Sequence, residues 1–156
     1  MTLAQTREDW AVGFADETWW SRVAQPALHT WSDGEAVRLV APTVVRSDPD
    51  PKALACYGIL VRLGAEVTED LWLRLVEGRP VSALTIAFLA WCAECAAARG
   101  VTTLLLIWDN ASWHGSRAVH TWLRDHNQRV HREGGVRLIP CFLPSKSPWL
   151  NPSEPK

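Results

Sequence analysis

The sequence predicts an α/β fold of the α+β kind, with helices packed on a mixed sheet. Three observations carry this. The first half of the chain holds apolar extended segments separated by Gly-, Pro- and Asp-rich turns. The second half alternates helix-like and strand-like runs. One of those strands, VTTLLLIWDN, is continuously apolar, the pattern of a central strand covered on both faces.

The elements follow in order. A polar lead-in gives way to WAVGFAD, a short buried strand ending at Asp16. HTW and EAVRLVAPTVV form a second extended region that turns at Gly34, and RSDPDPK is a loop. ALACYGILVRLG is the next strand, and LWLRLVEG is a shorter one ended by Gly78. Ser82 is the expected cap of a helix through LTIAFLAWCAECAAAR, which Gly100 stops. After the central strand, Ser116 caps a second helix, RAVHTWLRDHNQRVHRE, with Trp122, Leu123 and Val130 on one side and Gly134 and Gly135 at its end. VRLIPCFLP is the last strand, and SKSPWLNPSEPK leads into the start of a further helix.

Bulk properties narrow the classes. The 156 residues suit one domain, spanning 1–156, with a sizeable core. A hydrophobic fraction of 47% and a charged fraction of 21% are ordinary for a globular protein. The start of the chain lacks the basic flank and apolar run of a signal peptide, and no apolar stretch is long enough to span a bilayer, so no membrane partner and a cytoplasmic location are expected. The net charge of −1 lacks the positive excess of a domain that grips phosphates by charge alone. Cys92 and Cys95 form a CxxC inside a helical run with no second pair, which reads as two small side chains on one helix face rather than a zinc site. Cys56 and Cys141 read as core thiols. The 10 tryptophans follow no repeat; most read as packing residues, and a few are available to stack on bases.

Three carboxylates stand out by position. Asp16 ends the first strand, Asp109 follows the central strand, and Glu154 lies at the terminal helix entry. Carboxylates at the ends of neighbouring strands converge on one rim of a sheet, and converging carboxylates repel unless a hard cation such as Mg²⁺ sits among them. Each also has a plainer reading. Asp16 can be a solvated strand-end residue, and Glu17 beside it competes for any role. Asp109-Asn110 can be an Asx turn. Glu154 falls at N3 of a helix with Asn151 as cap and Pro152 at the first position. Ser112 and Ser116 sit in no GxSxG elbow, so a serine hydrolase is not supported.

WDNASWHGS, then His126-Asn127 late in the following helix, then LPSKSPWLNPSEPK resemble the second and third catalytic blocks of mariner-like insertion-sequence transposases of the DDE superfamily. FADETWWSR followed by QPALHTW resembles the first block, and PDPKALACYGIL is similar to the sequence between. The resemblance runs from about Trp10 to Lys156. It implies an RNase H-like catalytic core on a mixed five-stranded sheet. It implies that Asp16, Asp109 and Glu154 are the catalytic and metal-binding triad, holding two Mg²⁺ or Mn²⁺ ions. The implied chemistry is hydrolysis at transposon ends followed by strand transfer into target DNA. Asn110, His114 and Lys146 fall where supporting or DNA-contacting residues are expected. The implied partners are transposon-end and target DNA and a second copy in a homodimer, with a cytoplasmic, nucleoid-associated location.

Relatives in this family are longer at both ends. The expectation is that an upstream DNA-reading module is absent, that the helix carrying Glu154 is cut short, and that activity is impaired. The alternatives are an inactive remnant acting only as a folded or dimerising module, and an RNase H-like nuclease acting on RNA–DNA hybrids.

Overall fold

The computed structural model describes residues 7–21, 29–30, 34, 37–38, 52–64 and 68–144. Seven strands and two helices are defined among them: β1 (Trp10–Ser21), β2 (His29–Thr30), β3 (Val37–Arg38), β4 (Ala53–Leu63), β5 (Thr68–Glu77), α1 (Ser82–Ala97), β6 (Thr103–Trp108), α2 (Arg117–Glu133) and β7 (Arg137–Phe142). The main sheet has five strands in the order β5-β4-β1-β6-β7. β4 pairs antiparallel with β1 and β5, while β1–β6 and β6–β7 are parallel. The first half thus forms the meander, and the alternating second half adds parallel strands through helical crossovers. β2 and β3 make a separate two-stranded antiparallel pair.

Both helices lie on one face of the sheet. The alternation of side chains along each strand decides which residues meet them. Ala11 and Ala15 of β1, Ala55, Tyr57, Ile59 and Val61 of β4, and Leu104, Leu106 and Trp108 of β6 share a core with Phe88, Leu89 and Cys92 of α1 and Val119 and Leu123 of α2. Gly13 occurs on this face because a Cβ there would stand 2.4 Å from the Ile59 Cδ1 and 2.9 Å from its Cγ1. Asn127 of α2 binds both backbone groups of Leu138 on the edge strand β7, at 2.7 Å to its carbonyl and 3.0 Å from its N–H. His126 reaches the Val136 carbonyl at 2.9 Å.

The opposite face carries Val12 and Phe14, flanked by Trp10, Leu60, Leu105 and Ile107. Leu71, Leu73 and Leu75 of β5 line the same side and are 57%, 57% and 62% exposed. Val12 and Phe14 are nonetheless buried at the centre of this face, 9% and 4% exposed, while the two described helices pack on the other.

Other expectations are refined. β1 does not end at Asp16: Thr18, Trp19 and Trp20 are β-compatible and continue the pairing with Cys56, Ala55 and Leu54. Ser82 is the first residue of α1, whose N-cap is Val81, and no side chain caps it. Ser116 does cap α2, accepting from the Val119 N–H at 3.3 Å, and Gly134 ends that helix at φ 84°. Cys141 is exposed and Cys56 half-buried, because both fall on strand positions that point away from the helices. Cys92 is buried and Cys95 half-buried on α1, and burial pushes both thiols above their ordinary pKa. No described helix is long and apolar enough to cross a membrane.

Candidate active site

The parallel register of β1 and β6 pairs Phe14 with Ile107. Carried two residues on, it brings Asp16 level with Asp109, on strands that lie roughly 5 Å apart. Parity adds a second relation. Asp16 follows Val12 and Phe14 on the open face, and Asp109 has the parity of Leu105 and Ile107 on that same face. Asp16 lines a concavity of about 320 Å³ with Glu17, Thr18, Cys56, Gly58, Leu60, Leu71 and Leu73. Gly58 stands opposite Asp16 in the ladder, and a Cβ there would approach the Leu73 Cδ2 to 3.2 Å. One Asp16 oxygen, Oδ1, accepts from the Glu17 N–H at 2.8 Å.

Glu17, the next residue, points to the helix face. Its side chain is 6% exposed, and both oxygens are engaged. Oε2 lies 3.0 Å from His114 Nε2, and Oε1 accepts a short hydrogen bond from the Trp113 indole N–H. Strand alternation sends the Asp16 and Glu17 side chains to opposite faces of the sheet. Both residues line the concavity, and it is the Glu17 carboxylate that His114 and Trp113 hold inside the protein.

Asp109 begins the loop that runs from β6 to α2. Its Oδ1 accepts from the Ala111 N–H at 2.9 Å, which makes the Asx turn, and lies 2.7 Å from His114 Nδ1. The turn and a functional role are thus compatible, since Oδ2 has no protein partner among the described residues and the side chain is 48% exposed. Asn110 donates to the Leu143 carbonyl at 2.5 Å and ties this loop to the chain leaving β7. Leu143 N–H in turn donates to the Trp108 carbonyl at 2.9 Å.

His114 is the hub. Its side chain is 3% exposed, its ring stacks on Trp108 at 4.5 Å and 13°, and Trp113 meets it edge-on at 6.2 Å. Burial works against the charged ring, but hydrogen bonds and charge from Glu17 and Asp109 prevail and hold its pKa above the ordinary histidine value. With both ring nitrogens occupied, His114 has no donor left for a DNA phosphate. Glu17 and Trp113 are the partners that sequence reasoning missed. The signal available was the strand alternation that sends residues 16 and 17 to opposite faces.

Beside this loop a cleft of about 440 Å³ is lined by Trp19, Arg79, Pro80, Val81, Ser82, Ser112 and Trp113. Trp19 and Trp20 are 46% and 56% exposed, the most open of the described tryptophans. Glu154 and Lys146 lie outside the described residues. Among the described residues no three His, Cys, Asp or Glu side chains form a metal-binding cluster.

A five-stranded mixed sheet in this order, with two helices on one face and Asp16 of β1 level with Asp109 just past the parallel strand β6, is that of the RNase H-like class of nucleases and transposases. The sequence model of the DDE superfamily endonuclease family matches residues 58–155, more than half of the chain, and the chain belongs to that family. Among solved structures it is similar to the Mos1 transposase paired-end complex with left transposon end, at 19% identity and a TM-score of 0.50, over 94% of this chain and 38% of that one. It is also similar to the Mos1 strand transfer complex, at 18% and 0.49, over 94% and 38%. A third likeness is to the simian T-cell lymphotropic virus intasome in complex with PP2A regulatory subunit B56 gamma, at 9% and 0.48, over 94% and 36%. The chain spans less than two fifths of the length of these proteins. No curated protein matches it.

Proposed function

We propose that this chain is the catalytic core of a DDE-type DNA transposase, with residues 1–156 forming one catalytic domain. The observation that carries the reading is the pairing of Asp16 and Asp109. Asp16 on β1 is level with Asp109 just past the adjacent parallel strand β6, in a chain of the DDE endonuclease family. The fold shared with Mos1 transposase, a protein known bound to a transposon end, supports the same substrate class. So does the neighbouring cleft, whose two indoles and one guanidinium suit the bases and phosphates of DNA.

The reaction is hydrolysis followed by strand transfer. Water attacks the scissile phosphorus at a transposon end, the P–O3′ bond breaks, and a 3′-hydroxyl leaves. That hydroxyl then attacks a target phosphodiester and displaces a second 3′-oxygen. Asp16, Asp109 and Glu154 would hold Mg²⁺ or Mn²⁺, two ions in the full site. The donor chemistry fits: carboxylate oxygens are the hard ligands such ions prefer, and Asp109 keeps Oδ2 outward. When bound, the metal supplies a Lewis acid for the attacking water and the leaving oxygen. Asn110 holds the loop that carries Asp109 against the chain just beyond β7. Lys146 is assigned to phosphate contact. The proposed partners are transposon-end DNA, target DNA and a second copy of the chain.

The test is nicking of supercoiled plasmid by the purified chain in Mg²⁺ or Mn²⁺. Nicking that disappears without metal, and in both Asp16→Ala and Asp109→Ala, is the expected result. Nicking that survives Asp109→Ala sinks the proposal. A folded chain that binds Mn²⁺ through Asp109 yet never nicks selects an inactive remnant instead.

A further inference from the structure

We infer that Glu17 and His114 form a positioning pair that fixes the Asp109 carboxylate for metal binding, an inference that rests on the metal-centre reading above. A half-exposed aspartate on a loop rotates about two side-chain torsions, whereas a metal ligand must be held within roughly 0.5 Å of its place. The Asx turn supplies one restraint, from the Ala111 N–H to Oδ1. His114 supplies the second, to the same oxygen. Together they leave Oδ1 saturated and turn Oδ2 outward.

His114 is itself fixed by everything around it. Trp108 covers one ring face, Trp113 closes the edge, and Glu17 holds Nε2. Glu17 is anchored in turn by the Trp113 indole and by the ladder of β1 with β4. The chain of contacts therefore runs from β1 through the loop to Asp109 and ties β1, which carries Asp16, to the end of β6, which Asp109 follows. Partners behind a metal ligand of this kind, when removed, typically weaken metal affinity by about 10–100-fold. His114 touches neither DNA nor metal in this scheme; it acts through Asp109.

The measurement is Mn²⁺ affinity of the full chain, read from the free-ion electron paramagnetic resonance signal, with thermal unfolding as the check on folding. His114→Ala and Glu17→Ala are expected to weaken binding by about tenfold or more. His114→Asn, whose amide N–H can stand where Nδ1 does, is expected to recover most of that loss. Glu17→Gln, which still accepts from Trp113, is expected to stay within about threefold of the unaltered chain by the same scale. A packing role alone, under Trp108, would be lost equally in His114→Ala and His114→Asn. Binding lost in Asp109→Ala but unaltered in folded His114→Ala overturns the positioning role and leaves the metal centre standing. No Mn²⁺ binding by the unaltered chain overturns both.

Discussion

The two faces of the sheet have the same backbone and different fates. On the helix face, Ile59, Leu104, Leu106 and Leu138 are fully buried, and even the one acidic residue of β1 that points there, Glu17, is enclosed and hydrogen-bonded. On the other face, three leucines of β5 stand more than half exposed, and Asp16 lines an open concavity. Residues 16 and 17 are neighbours in sequence and are separated only by the two-residue alternation of a strand. The difference shows how one strand can carry, side by side, a carboxylate enclosed by an imidazole and an indole and one that lines the opposite face.

The sharpest way to break this comparison is to truncate matched side chains on the two faces. Ile59→Ala removes a fully buried side chain that touches Gly13 and the helix-face core, and is expected to cost about 2–5 kcal/mol. Leu73→Ala, at a 57% exposed position, is expected to change stability by no more than about 0.5 kcal/mol. Urea unfolding of both variants decides it. A Leu73→Ala cost as large as that of Ile59→Ala would mean that the open face is covered in solution. Asn127→Ala is intermediate. It strips the Leu138 N–H and carbonyl of their side-chain partner at the edge of the sheet, an expected loss of about 1–3 kcal/mol by the same measurement.

What the sequence made legible follows the same division. The strands and helices were readable because burial on one face imposes alternation on β4 and an amphipathic stripe on α2. Asp109 and its loop were readable from the WDNASWHGS string, and Ser116 and Gly134 from their local chemistry as caps. Three things were not. The full length of β1 was hidden because pairing with β4, not its own hydrophobic pattern, carries the strand through Thr18, Trp19 and Trp20. The Val81 cap of α1 was hidden because Ser82 offers a better cap residue one position later, and the chain does not use it. The partnership of Glu17 with His114 spans 97 positions and depends on a loop folding back over a strand end, which no local signal encodes. Glu154 and Lys146 were named from the same kind of string as Asp109, and they lie outside the described residues.

The smallest expected effect lies within β5 alone, where the two faces can be compared at adjacent positions. Leu71 and Leu73 point to the open side, while Asp70 and Trp72 point to the helices. The Trp72 indole N–H donates to Asp70 Oδ2 at 2.7 Å, and Arg99, just past α1, reaches the same oxygen at 2.7 Å while lying 4.7 Å from the Trp72 ring. The hydrogen bond from Trp72, then that from Arg99 and its charge, outweigh a small opposing effect of burial and hold the Asp70 pKa below its ordinary value. A carboxylate depressed in the folded state contributes stability above its unfolded pKa, about 3.9, and loses it as pH falls through the folded value. Asp70→Asn is therefore expected to be slightly less stable than the unaltered chain near neutral pH, and the gap is expected to close as pH drops below the ordinary carboxylate range. Because Asp70 is solvent-accessible, salt should narrow the gap too. Thermal midpoints of the two proteins at several pH values test this. A gap that stays constant or widens in acid would mean that Asp70 acts through packing against Trp72 rather than through its charge.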